Sequence, residues 1–146
     1  MPEVCVDASL VIKWVISEEG HHVAKQLFTE WSDADVKMIA PSFFQVEVDS
    51  ILRKKVFVRK EISVEEAEKA FELLMQLPIE IVDLPSQRQH AWQLAKDLSQ
   101  ATVYDTTYIA LAELHRCEFW TADERLYNSV KHRIDFVRWI GEIISS

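Results

Sequence analysis

"YDTTYIALAELHRCEFWTADERL", Tyr104 to Leu126, changes its rhythm twice. From Thr106 to Leu114 apolar residues crowd nearly every position, which suits a helix buried on almost all sides. The run then shortens to Glu118-Phe119-Trp120, a β-forming segment, and closes on Thr121-Ala122-Asp123-Glu124, a pattern that opens another helix. A helix that feeds a strand that feeds a helix is the repeating unit of a parallel α/β sheet. One residue is out of character, because Asp105 puts a carboxylate at the head of a buried helix. Thr102-Val103-Tyr104-Asp105 gives that acid a structural reading, as a capping pattern beside the positive end of the helix dipole. Such a reading accounts for one acid only.

The same alternation extends through the chain. Val4-Cys5-Val6, Met38-Ile39-Ala40, Ile79-Glu80-Ile81-Val82 and Ile134-Asp135-Phe136-Val137 read as further strands, giving five in all. Between them, Phe44 to Val56 and Val64 to Gln76 form one pair of helices, and Arg88 to Leu98 with Tyr104 to His115 another. Ser42-Phe43-Phe44-Gln45 and Ser63-Val64-Glu65-Glu66 are capping boxes for the first pair. The expected fold is a three-layer α/β structure, with a central parallel sheet of about five strands flanked by helices. With 146 residues, two glycines and four prolines, there is no room for a linker, so residues 1–146 read as a single domain.

Composition narrows the function classes. Cys5 and Cys117 lie apart in apolar segments and read as packed free thiols, and His21-His22 lack the spacing of zinc ligands. No stretch is apolar enough to span a membrane, and the first residues lack a secretory pattern, so the expectation is a cytoplasmic protein with no membrane partner. Phosphate-binding glycine loops, the G-x-S-x-G elbow and H-E-x-x-H are all missing. The net charge of −8 opposes any non-specific grip on nucleic acid.

Open parallel sheets carry their functional crevice beyond the carboxyl ends of the strands. Asp7 follows the first strand directly, and Asp123 follows Glu118 to Trp120 closely. Asp105 opens the helix leading into that same strand. Glu47 lies one turn into the helix after Met38 to Ala40, on the face of residues 43, 44, 47, 48, 51 and 52, while Asp49 points away. Four acids from distant parts of the chain are therefore expected at one edge of the sheet.

These residues resemble the PIN-domain ribonucleases, specifically the VapC-like toxins of prokaryotic toxin–antitoxin pairs. The matching segments are Val6-Asp7-Ala8-Ser9, Val46-Glu47-Val48, Tyr104 to Ala112 and Thr121-Ala122-Asp123-Glu124-Arg125-Leu126, and together they span nearly the whole chain. The resemblance implies a PIN-like fold and a pocket of Asp7, Glu47, Asp105 and Asp123 that holds Mg²⁺ or Mn²⁺ and hydrolyses RNA phosphodiester bonds, with Asp7 and Asp105 as principal ligands. It also implies a homodimer and a cognate antitoxin. Ser9 and Thr121 are candidate helpers for water or phosphate, although both hydroxyls read plainly as helix caps. Hard divalent cations prefer carboxylate oxygen, so the donor set suits the chemistry.

Several features carry two readings. Arg53-Lys54-Lys55-Val56-Phe57-Val58-Arg59-Lys60 holds five basic residues, which either complement a helix dipole or form a phosphate-contacting rim. Trp14, Trp31 and Trp92 read as core or dimer contacts, and His115 as a dipole partner. Two rival functions remain: a PIN nuclease of RNA processing without an antitoxin, and a non-catalytic receiver-like module with Asp7 on Mg²⁺ and Asp83 as phosphoacceptor.

Overall fold

Val4, Cys5 and Val6 follow one another with no polar face for water, so their strand has to lie inside a sheet covered on both sides. The computed structural model, which describes residues 2–145, places it there. The strands are β1 (Glu3–Val6), β2 (Lys37–Ala40), β3 (Ile79–Ile81), β4 (Glu118–Thr121) and β5 (Val137–Trp139). All pairings are parallel, in the order β3-β2-β1-β4-β5, with Cys5 opposite both Ile39 and Phe119. Cys5, Val6, Ile39 and Phe119 are fully buried.

The described helices are α1 (Ala8–Val15), α2 (His21–Asp33), α3 (Phe43–Phe57), α4 (Val64–Gln76), α5 (Gln87–Asp97), α6 (Tyr104–His115), α7 (Glu124–Val130) and α8 (Gly141–Ser145). Because β1, β2 and β3 step one way and β4 and β5 the other, right-handed crossovers set α1 to α4 against one face and α5 to α7 against the opposite one. That change of direction falls between β1 and β4. A crevice opens at the carboxyl ends of such a strand pair.

Local chemistry explains where most elements begin and end. Ser63 and Glu66 form a complete capping box on α4, each side chain bonded to the other's backbone N–H. Residues 106 and 108–112 of α6 are all buried, as the apolar run demands. Arg116 ends that helix in the left-handed region, at φ 54°. His115 pairs its Nδ1 with the Glu3 carboxylate at 3.0 Å as well as sitting in the last turn.

Four expectations need correction. The final strand is Val137–Trp139 and not Ile134 to Val137, because Ile134 is still tied to α7 through its N–H on the Val130 carbonyl at 2.9 Å. Ser42 makes no side-chain cap, and its N–H instead donates to Asp83 Oδ1 at 3.1 Å. The Thr102 cap does not form either: the N-cap is Val103, which brings Asp105 one position too early for the box. Trp14 and Trp31 are core residues, but Trp92 is 63% exposed, which removes its core reading. Both cysteines are free thiols. No described helix is long and apolar enough to cross a membrane.

Candidate active site

Asp7 is the first residue past β1, where the backbone turns into α1. Its Oδ1 accepts from the Leu10 N–H at 3.1 Å and from Ser9 Oγ at 2.7 Å, so it caps the helix with one oxygen. Its Oδ2 accepts from the Thr121 hydroxyl at 2.6 Å. Thr121 is the last residue of β4 and its hydroxyl also takes the Asp123 N–H at 3.0 Å, while Ser9 Oγ takes the Ala122 N–H at 3.1 Å. The two neighbouring strand ends are thus laced together by two hydroxyls, 3.2 Å apart. Thr121 does not cap α7; Asp123 does, with Oδ1 on the Leu126 N–H at 3.0 Å.

Glu47 reaches the same edge from α3. Its Oε1 accepts a 2.6 Å bond from the hydroxyl of Tyr108, a fully buried residue of α6. Asp105, in the first turn of α6, faces Asp123 and Glu47 closely enough for both to disfavour its ionisation. Glu47 likewise feels Asp123, and Asp7 feels Glu47. All four sequence-predicted acids therefore stand in one electrostatic neighbourhood, with Ser9 and Thr121 beside Asp7. Asp83 stands apart, at the end of edge strand β3 with β2 between it and β1, so the pairing that a receiver-like module needs is not built.

Burial dominates the proton affinities here. It pushes Asp7 up to about 7, against the opposing effect of the bonds from Thr121, Ser9 and the Leu10 N–H, with a smaller push from Glu47. Burial also lifts Asp105 to about 6, helped by Asp123 and then Glu47. Glu47 is raised by burial and by Asp123, while the Tyr108 bond pulls it back. Crowded carboxylates with raised proton affinity mark a place that a positive charge would relieve.

The oxygens left over define what could be held. Glu47 Oε2, Asp123 Oδ2 and both oxygens of Asp105 accept no hydrogen bond among the described residues, and Asp7 Oδ2, which accepts only from Thr121, keeps a second lone pair. These are hard donors of the type that suits Mg²⁺ or Mn²⁺. Among the described residues, no three acidic, histidine or cysteine side chains form a ready-made chelate.

Tyr108 was missed in the sequence, where it read only as part of the apolar run. Its hydroxyl was the available signal, since a tyrosine deep in an apolar helix needs a polar partner.

Comparison with known proteins agrees with this architecture. The PIN domain family model matches residues 4–131, and the chain belongs to that family. No curated protein sequence matches it. Solved structures with the same fold include a protein of Pyrobaculum aerophilum, at 16% identity and a TM-score of 0.67, covering 99% of this chain and 93% of that one. A toxin–antitoxin complex from Klebsiella pneumoniae matches at 17% identity and a TM-score of 0.66, covering 94% and 97%. The sarcin-ricin loop cleaving toxin VapC20 of Mycobacterium tuberculosis matches at 14% identity and a TM-score of 0.63, covering 86% and 94%.

Proposed function

We propose that this chain is a divalent-metal-dependent endoribonuclease and the toxin of a toxin–antitoxin pair. The observation that carries the reading is the meeting of Asp7, Glu47, Asp105 and Asp123 at the switch point of a PIN-domain sheet, with their ionisation opposed by burial and by one another. Asp7 and Asp105 would be the principal ligands of Mg²⁺ or Mn²⁺, with Glu47 and Asp123 serving a second ion or orienting water. Such an ion, when bound, supplies the charge that activates water and stabilises the phosphoryl transition state.

The chain's own residues prepare that centre. Thr121 and Ser9 lock the Asp7 carboxylate from both sides, and Tyr108 fixes Glu47. Burial keeps a proton on Asp7 up to about pH 7 and on Asp105 up to about pH 6, so cation binding below those values must expel it and should tighten as pH rises.

An antitoxin partner is supported by the toxin–antitoxin complex among the structural neighbours. Apolar surface is also available for it beside α3 and α4, where Val64, Phe71 and Met75 are exposed. The homodimer belongs to the same proposal, with exposed Trp92 on α5 and Tyr104 on α6 as candidate contacts. The rival reading, a PIN nuclease of RNA processing without an antitoxin, shares the chemistry and differs in its biology.

The test is cleavage of RNA by purified protein in Mn²⁺, in EDTA, and with Asp105→Asn. The expected result is cleavage that needs the metal and falls by about two orders of magnitude or more in the variant. Equal cleavage in EDTA, or by folded Asp105→Asn, overturns the proposal. Growth arrest on expression, relieved by a co-expressed neighbouring gene product, separates the toxin from the processing enzyme.

A further inference from the structure

Along α3 the face that carries Glu47 continues through Ile51 to Lys54 and Lys55, roughly 10 Å further at the helical rise. The sign of the charge reverses over that distance. A cavity of about 330 Å³ opens there, and its walls include Ser9 and Ala122. Ser9 is bonded to Asp7 and Ala122 to Ser9, so the cavity begins where the carboxylate centre ends.

Its remaining polar lining is four cations, Lys13, Lys54, Lys55 and Arg59, against a single carboxylate, Glu18. That carboxylate is already neutralised. Lys55, 6% exposed, donates to Glu18 at 2.6 Å and to Glu61 at 3.2 Å, and Lys13 reaches Glu18 at 3.4 Å. Burial alone would pull protons off Lys55, but its two carboxylate partners outweigh it and hold the ammonium charged. Lys13 and Lys55 thereby brace the α1–α2 turn against the end of α3. Lys54 and Arg59 are exposed and make no side-chain hydrogen bond or ion pair among the described residues.

We infer that this groove holds the phosphate backbone of the RNA strand beside the phosphate being cut, with Lys54 and Arg59 as the contacting cations. The inference rests on the nuclease reading and says where the strand runs. A chain of net charge −8 with an acidic centre repels RNA, and the groove supplies local positive charge next to that centre. Backbone contacts of this type position a strand without reading its sequence.

The experiment measures binding of a short, labelled single-stranded RNA by fluorescence anisotropy across a salt series, in EDTA so that metal-dependent cleavage is suppressed. Removing one cation from a phosphate lowers the slope of log K against log salt by about 0.7, so the double variant Lys54→Gln/Arg59→Gln should lower it by about 1.4. Lys96→Ala, on α5, should leave the slope unchanged. Bis(p-nitrophenyl) phosphate has no neighbouring phosphate, and the double variant should cut it in Mn²⁺ as fast as the original protein does. A shallower slope in a protein that cuts nothing upholds the groove and overturns the nuclease reading. RNA cleavage at unchanged KM with an unchanged slope does the reverse. An equal decrease from Lys96→Ala, or no binding by the unsubstituted protein at the lowest salt, also overturns the groove.

Discussion

Replacing Asp7 by asparagine should make the metal-free protein more stable, although it removes a proposed ligand. The Asp7 side chain is 4% exposed and its proton affinity is pushed up to about 7 by burial. An unfolded aspartate titrates near 3.9, so the difference of about 3 units corresponds to about 4 kcal/mol. Below pH ~4 the carboxyl is protonated in both states and no penalty exists. As pH rises to about 7, the unfolded chain ionises while the folded one resists, and stability falls; above that, the loss is complete. Asparagine carries no charge at any of these values. Its carbonyl can keep the Leu10 and Ser9 bonds, but its amide must turn the Thr121 hydroxyl round, at a cost of about 1–2 kcal/mol. The net gain at pH 8 is then about 2–3 kcal/mol, or a rise in Tm of roughly 4–12 °C for a chain of this size. Thermal melts followed by circular dichroism in EDTA at pH 5 and pH 8 should show the gain at pH 8 and its shrinkage at pH 5. Added Mn²⁺ should stabilise the original protein at pH 8 and not the variant. Identical melts of the two proteins at both pH values, or equal stabilisation of both by Mn²⁺, would refute the reasoning.

Glu47→Gln should retain the fold by circular dichroism while Mn²⁺-dependent RNA cleavage drops by about a hundredfold or more; cleavage within a factor of two of the original would remove Glu47 from the centre. Tyr108→Phe deletes the 2.6 Å bond that orients Glu47, so Mn²⁺ affinity from calorimetry should weaken by about tenfold, and an unchanged affinity would leave Tyr108 a packing residue only. Lys55→Met should cost about 2–3 kcal/mol in urea unfolding, discounted from the usual penalty for breaking a buried pair because Glu18 and Glu61 keep access to water. A neutral or stabilising result there would show that Lys55 acts through its methylenes alone.

The fold was legible where a pattern was long or chemically marked. Val64 to Gln76 and Tyr104 to His115 are observed at the expected boundaries, the first because Ser63 and Glu66 cap it and the second because a buried apolar run and the turn at Arg116 define it. Ile134 to Val137 misled, since apolar alternation over four residues looks the same whether the chain joins a ladder or still hangs from the preceding helix. The acids could be placed at one edge because parallel topology sends every strand end the same way. Their mutual distances could not be read from spacing. Thr121 shows the limit most clearly: its local pattern is that of a cap, while its actual partner, Asp7, is 114 residues away. Trp92 looked like the other core tryptophans because helical periodicity does not say which helices have a covered outer side.

The first strand pairs with β4, and the two hydroxyls that lace their ends join residue 9 to residue 121. A chain emerging from the ribosome therefore holds Asp7 long before it holds the segment that completes its surroundings. On the nuclease reading, a copy that stops short of that segment is harmless to the messenger and ribosome that are making it. The danger begins only once the chain has been extended through Thr121 and Asp123.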